Sequence, residues 1–458
     1  MNGLPLDNIP KNIQEPPGPK HKFLGANAYL SFLTDGLSYL SKLHKEYGDI
    51  AMLKASGHRI YLIADLKYID YILVRDPENF TKGPGFQRGK ILLGNGILTS
   101  EGEFHHSHRR MINPAFTRSR WGHYFAVVRK CVNNLIKEWE ERFKVNNEIE
   151  LHEEMMSLFV EIILNTIFSD DKNSALTKHA GEFMDLFHKL NPLYLLNPEK
   201  SLRLPFPSIK KITKAKENLD KEIHKILDKR INENIKRDDV LGIILEAKDE
   251  EGKKMTRQEL YDEIFTLYMA GIDTSAKVMT WGFYLLEQNK TEAQILRKEV
   301  DEIVGKRDIE FEDFEKLVYT RMVLNETMRM YPPVWLLPRT AEKDFYLDDY
   351  FVFKGSSIFI TPYLLHRNPK YFENPDKFDP ERFNAERKKS IKKFSFIPFG
   401  AGPRVCIGEG FALLHGAVIL SLISRNFKMT LKKGHRIALS SSITLRPKYG
   451  IKMHLEKI

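Results

Sequence analysis

Hydrophobic residues recur at three- and four-residue spacing over most of the chain, a pattern that predicts helices with one buried face. Segments of this kind include WGHYFAVVRKCVNNLIKEWEERF, LHEEMMSLFVEIILNTIF and KITKAKENLDKEIHKILDKRINENIKRDD. A longer one extends from Thr256 to about Asn289, and Thr256 forms a capping box with Glu259 at its start. At ~1.5 Å per residue this helix would be about 50 Å long, enough to cross a whole domain.

Segments in which hydrophobic and polar residues alternate, the pattern of β-strands, are few and scattered along the chain. DIAMLKASGHRIYLIAD predicts a hairpin, and FVFKGSSIFI and ITLRPKYGIKMHL predict two more. Residues 1–20 are rich in proline and predict an extended leader. Since no repeat or low-complexity linker follows, we expect residues 21–458 to form a single domain that is mainly α with a small β region.

The composition and the cysteine content indicate where in the cell the protein is located. The 458 residues are 42% hydrophobic and 29% charged, which is an ordinary globular balance and excludes a disordered chain. No segment reaches the ~18 consecutive apolar residues of a membrane span, and the N-terminus lacks an apolar signal core. The two cysteines, Cys131 and Cys406, do not form a disulfide framework. We therefore expect a soluble, cytoplasmic protein, with Cys131 buried in a helix.

The formal net charge of +10 permits an acidic protein partner, a membrane surface or nucleic acid. The charge is diffuse apart from ERKKSIKK, residues 386–393, which we call the basic segment. No nucleic-acid motif is present, and stacking aromatic residues do not alternate with the basic ones. No nucleic-acid partner is expected.

The segment FGAGPRVCIGEG, residues 399–410, presents Cys406 on a glycine-rich loop, which we call the cysteine loop. Glycines allow backbone N–H groups to approach a thiolate, which is the form of cysteine that binds metal. A lone cysteine without a second cysteine or a histidine pair nearby excludes a structural zinc site. Haem remains the strongest candidate, because haem iron accepts one cysteine ligand.

The cysteine loop resembles the haem-binding loop of the cytochrome P450 family, FxxGxRxCxG, at every fixed position: Phe399, Gly402, Arg404, Cys406 and Gly408. Three further segments match family motifs in the expected order. They are AGIDTS at 270–275, the ExxR motif with Glu326 and Arg329, and the PERF motif with Arg382.

The resemblance implies a triangular, mainly helical fold that binds haem b, with Cys406 as the iron ligand. It implies that Glu326, Arg329 and Arg382 form a structural charge cluster, and that Asp273 and Thr274 relay protons to dioxygen. It also implies haem-propionate partners, namely Arg109, Arg339, Arg404 and His105, the last replacing a tryptophan of the family pattern. His415 stands where many members have glutamate, and we assign it no role.

The function implied is a haem-thiolate monooxygenase that inserts one oxygen atom from O2 into an apolar molecule such as a fatty acid or terpenoid. Electrons would come from NAD(P)H through a ferredoxin or flavodoxin-type donor and its reductase, docked near the basic segment. Alternatives are a haem-thiolate isomerase or a peroxide-driven hydroxylase of the same fold, and a basic nucleic-acid-binding or haem-sensing protein.

Overall fold

A computed structural model describes residues 14–19, 26–55, 57–144, 146–169, 174–189, 198–201, 204 and 206–458. Its α-helices are α1 (Ala26–Tyr47), α2 (Leu66–Asp70), α3 (Pro84–Leu93), α4 (Gly102–Ile112), α5 (Trp121–Arg142), α6 (Leu151–Phe168), α7 (Ser174–Lys189), α8 (Pro198–Ser201), α9 (Pro207–Asn232), α10 (Val240–Glu246), α11 (Arg257–Gln288), α12 (Lys290–Ile303), α13 (Val318–Met330), α14 (Pro362–Leu365) and α15 (Glu409–Asn426). Its strands are β1 (Ile50–Ala55), β2 (His58–Ile63), β3 (Phe80–Lys82), β4 (Glu148–Glu150), β5 (Leu337–Ala341), β6 (Phe345–Leu347), β7 (Tyr350–Val352), β8 (Ser357–Ile360), β9 (Phe427–Leu431), β10 (Leu439–Ser441), β11 (Leu445–Pro447) and β12 (Lys452–Lys457). The prediction of a mainly α protein with a small β region is confirmed.

The long helix α11 begins where the capping box predicts. The Glu259 backbone N–H donates to Thr256 Oγ1 at 3.3 Å, and the Thr256 N–H donates to Glu259 Oε2 at 2.7 Å. The helix has 32 residues and packs against α6, α13 and α15. Most of its side chains are buried, so α11 crosses the centre of the helical core.

The largest sheet has five strands in the order β1-β2-β8-β5-β3. The first predicted hairpin is confirmed, since β1 and β2 are antiparallel with Ile50 opposite Ile63. The other two hairpins are wrong, although their strands exist. β8 pairs with β2 and β5 rather than with β7, and β12 pairs with β4 and β9 rather than with β11.

Of the predicted leader, the structure describes residues 14–19, and the remainder lies outside the described residues. These residues are not helical and lie against the sheet. The Pro17 carbonyl accepts a hydrogen bond from the Met52 N–H at 2.9 Å, and the Glu15 carboxylate lies 2.7 Å from Lys54 Nζ.

The main hydrophobic core lies among α5, α6, α11, α13 and α15, and a second cluster lies beneath the five-stranded sheet. Cys131 is buried in the main core, as predicted. Within the described residues, none of the helices is both long and apolar enough to cross a lipid bilayer.

Candidate active site

The cysteine loop contains a short 3₁₀ turn, Gly402–Arg404, and continues into the start of α15. The Cys406 N–H donates to the Phe399 carbonyl at 2.9 Å and closes the loop. Gly402 has a φ of +71°, and a Cβ at this position would lie 1.8 Å from the Leu73 carbonyl oxygen. Only glycine therefore lets the loop pack this closely against residues 71–75.

The Cys406 side chain is accessible from a cavity, while protein atoms surround it on its other sides. Burial raises the pKa of the thiol. The backbone N–H of Gly408 and the guanidinium of Arg109 act in the opposite direction, because both favour the thiolate. The loop therefore stabilises the Cys406 thiolate only in part, and a bound cation such as a metal ion would stabilise it further.

The cavity lies between the cysteine loop and α11, and Cys406 and Thr274 both line it. Its wall is mostly apolar. Lining residues from other elements include Phe116, Ile163, Ile167, Val240, Val334 and Leu337. An apolar molecule of modest size would find complementary surface in this space.

Two residues characterise the part of α11 that lines the cavity, Thr274 and Gly271. The Thr274 hydroxyl donates to the Ala270 carbonyl at 2.7 Å, so it bonds within the helix. Gly271 faces α6, and a Cβ there would lie 2.8 Å from Ile163 Cδ1. The glycine thus provides close helix packing at the point where the helix passes the cavity.

The Asp273 side chain does not line the cavity, unlike that of the adjacent Thr274. It is buried. Its Oδ1 lies 2.5 Å from Lys277 Nζ, and its Oδ2 accepts a hydrogen bond from Thr444 Oγ1 at 2.8 Å.

A cluster of cationic side chains lies at one edge of the site. Arg404 donates to Glu101 Oε2 and to the Pro77 carbonyl, both at 2.9 Å, and its buried Nε has no hydrogen-bond partner. Burial and the neighbouring Arg404 lower the pKa of Arg339 to about 10. Both arginines line the cavity.

Lys82 belongs to the same cluster and was not predicted from the sequence. Its Nζ donates to the carbonyls of Ile97 and Ser100, both at 2.7 Å. Burial, with Arg404 and Arg339 nearby, lowers its pKa to about 7. Nothing in the local sequence FTKGPG distinguishes this lysine from a solvent-exposed one.

His105 and Arg109 lie on α4 beside this cluster. His105 is buried, and its Nδ1 has no hydrogen-bond partner. Burial, with Lys82 and Arg404 next in importance, lowers its pKa to about 3, so the imidazole is neutral at pH 7. Burial also lowers the pKa of Arg109, and the Cys406 sulfur opposes this shift.

The predicted charge cluster is assembled and buried. Arg329 Nε donates to Glu326 Oε2 at 2.6 Å, and its Nη2 donates to Oε1 at 2.8 Å. Arg382 Nε lies 3.3 Å from the same Oε1, which also accepts the Asp379 N–H at 2.9 Å. The cluster therefore ties α13 to the segment that precedes the cysteine loop.

His415, on α15, lines the cavity. Its Nε2 lies 3.3 Å from Ser275 Oγ, and its ring makes edge contacts with Phe159 and Phe411. Burial lowers its pKa to about 3, so it is a neutral side chain that links α15 to α11.

A sequence profile of the cytochrome P450 family matches residues 16–454. The chain belongs to the cytochrome P450 family. Relatives include cyclooctatin synthase of Streptomyces melanosporofaciens, which is 31% identical over 88% of this chain and 87% of its own. A cytokinin hydroxylase of Arabidopsis thaliana is 32% identical over 81% of this chain and 73% of its own.

A solved structure of the same fold is the retinoic acid-bound cyanobacterial CYP120A1, with a TM-score of 0.86. It covers 98% of this chain and 100% of its own at 24% sequence identity, and it shows the P450 fold. The family match and the relatives show that the chain is a cytochrome P450 monooxygenase, and the structural match shows that it has the predicted fold.

The haem cofactor of this family suits the residues present. The Cys406 sulfur opens to the cavity as a single thiolate ligand would. Cationic side chains gather at one edge, where Arg404 Nε and His105 Nδ1 are buried without partners. Two propionates would supply the missing negative charge and acceptors.

Proposed function

We propose that this P450 inserts one oxygen atom from O2 into a C–H bond of an apolar molecule, with electrons from a separate redox protein. The observation that supports this most directly is that Cys406 and Thr274 line one apolar cavity. The haem, when bound, supplies the activation of dioxygen.

The protein's own residues would bind and orient this cofactor. Cys406 would ligate the iron. Phe399 accepts the hydrogen bond that closes the loop, Gly402 lets the loop pack closely, and the Gly408 N–H would donate to the sulfur. Four side chains at the cationic edge would bind the propionates by charge-assisted hydrogen bonds: His105, Arg109, Arg339 and Arg404. Negatively charged propionates would raise the lowered pKa of Lys82, so that it would add positive charge to this edge without leaving its two backbone carbonyls.

Asp273 and Thr274 would deliver protons to the cavity. The Thr274 hydroxyl is at the cavity wall and could exchange its Ala270 acceptor for a water or another acceptor in the cavity. Such a relay needs groups within hydrogen-bond reach rather than a strong base. Asp273 would reload Thr274 with protons from the interior of the protein.

The apolar cavity wall supports a fatty acid, terpenoid or similar substrate. By their names, cyclooctatin synthase makes cyclooctatin and cytokinin hydroxylase hydroxylates a cytokinin, so these two relatives do not point to one substrate. A screen of apolar compounds for the haem absorbance change that accompanies binding would provide it. We also propose a reducing, cytoplasmic location, because a chain with only two cysteines, Cys131 and Cys406, cannot hold a disulfide framework.

The test of the proton relay is Thr274→Ala. We expect the product formed per O2 consumed to fall by at least about tenfold while oxygen consumption continues, because protons no longer reach the correct site. Thr280→Ala is the matched control. Thr280 makes the same 2.7 Å bond to the carbonyl four residues earlier but does not line the cavity.

An unchanged ratio in Thr274→Ala would contradict the relay. Full turnover with peroxide and none with reduced donor and O2 would favour the peroxide-driven alternative.

A further inference from the structure

Lys277 is a fully buried lysine on α11, one helical turn beyond Asp273. Its side chain is 0% exposed, and its Nζ lies 2.5 Å from Asp273 Oδ1. The same Nζ donates to Thr444 Oγ1, and the Thr444 hydroxyl donates to Asp273 Oδ2 at 2.8 Å. We call this closed ring of three side chains the latch.

The latch lies beside the cavity wall. Residues of α11 that line the cavity include Ala270, Thr274 and Val278, which repeat at four-residue spacing along one face. Asp273 and Lys277 have the same spacing on the adjoining face. Thr444 directly precedes β11, so the latch connects α11 to the small sheet of β10 and β11.

The charges of the latch depend on each other. Burial lowers the pKa of Lys277, and Arg446 adds to this shift, while the Asp273 carboxylate opposes it. A buried ammonium without a counter-ion is costly, and so is a buried carboxylate. In the resting latch the two opposite charges therefore stabilise each other.

We propose that Lys277 is a positioning residue that holds and reloads Asp273 for the delivery of protons to the cavity. This inference rests on the proposed relay through Thr274. In the transfer, the Lys277 N–H bond breaks as an Asp273 O–H bond forms. The neutral carboxyl group then turns from the latch, and its O–H bond breaks as the proton passes to the Thr274 hydroxyl oxygen, while the Thr274 O–H gives its own proton to the cavity. The Asp273 carboxylate returns to the latch, and one proton from solvent converts the Lys277 amine back to the ammonium.

Three variants of the haem-loaded enzyme test the proposal: Lys277→Met, Asp273→Asn and the double variant. We expect each single change to lower the product formed per O2 consumed by about tenfold, as for partners that act through a neighbouring residue. The double variant should lose no more, because Lys277 acts through Asp273. Losses that multiply in the double variant would overturn the proposal.

A second readout separates positioning from loosened packing. In Lys277→Met, the solvent deuterium isotope effect on product formation should increase, because proton delivery becomes slower relative to the other steps. A wild-type isotope effect would indicate a purely structural lysine and would overturn the proposal.

A further variant, Thr444→Val, keeps the charges of Asp273 and Lys277. It tests the proposal even if the Lys277→Met protein does not bind haem. We expect about a threefold fall in the product-to-oxygen ratio from the loss of one buried hydroxyl. Thr280→Val, also a buried hydroxyl, is the control and should keep the wild-type ratio. Equal ratios in the two variants would contradict a role for the latch.

The Thr274→Ala variant separates this inference from the proposed function. If Thr274→Ala is impaired but the latch variants are not, this inference alone fails. If Thr274→Ala is unimpaired, the proposed relay fails.

Discussion

Three charged side chains far from solvent, Glu326, Arg329 and Arg382, show how individual residues hold the site in place. One carboxylate accepts hydrogen bonds from both guanidinium groups, and Arg329 Nη1 also donates to the His366 carbonyl at 2.7 Å. Burying such charges is costly unless each is paired and hydrogen-bonded. The cluster is therefore expected to be intolerant of the loss of one member.

At this residue scale we predict that Glu326→Gln lowers the free energy of unfolding of the holoenzyme by ~3–5 kcal/mol, because it leaves two buried arginines without a counter-ion. Thermal or urea unfolding, followed by haem absorbance, measures this loss. Glu222→Gln is the control: Glu222 pairs with Lys225 at the same three-residue spacing, at 2.7 Å, but Lys225 is 70% exposed. Its effect should stay below about 1 kcal/mol, and equal losses would contradict the account.

The sequence identifies those site residues that belong to motifs of fixed spacing. Cys406, Glu326 and Arg329 stand in motifs, and the structure brings Cys406 to the cavity and the other two into one buried cluster. Lys82 and Lys277 were missed because a lysine in a sequence normally indicates solvent. Their burial is decided by segments distant in the chain, such as Ser100 and Thr444.

At the scale of elements, local signals predict where helices and strands form but not which strands pair. The capping box fixes the start of α11, since both of its hydrogen bonds lie within four residues. The segment around Gly355 has the alternation of a hairpin, yet β8 joins β2 in a parallel pair that no local turn encodes. Partners distant in the chain decide the sheet, as expected for β-structure.

For the whole molecule, the basic segment supports a docking surface for an acidic electron donor. Lys388 and Lys389 are exposed in the short turn Arg387–Ser390, and the segment precedes the cysteine loop in the chain, separated from it by residues 394–398. Arg387 instead pairs with Asp379 at 2.9 Å. We infer that the lysines steer the partner toward the side of the molecule that carries Cys406.

We predict that Lys388→Glu together with Lys389→Glu slows reduction by a ferredoxin about tenfold at low ionic strength, with the difference shrinking as salt is added. Stopped-flow reduction measures the rate. Lys210→Glu with Lys211→Glu, two exposed lysines on α9, makes the same charge change elsewhere and should leave the rate unchanged. Equal rates in both pairs would identify the basic segment as an ordinary solvated loop.

The whole account depends on Cys406 being bound, as a thiolate, to haem iron. The most direct measurement is the absorption spectrum of the reduced, carbon monoxide-treated holoenzyme. We predict the strongly red-shifted Soret band of a thiolate-ligated ferrous carbonyl, and its loss in Cys406→Ala. A spectrum typical of histidine-ligated haem, or a wild-type spectrum that Cys406→Ala leaves unchanged, would contradict the account.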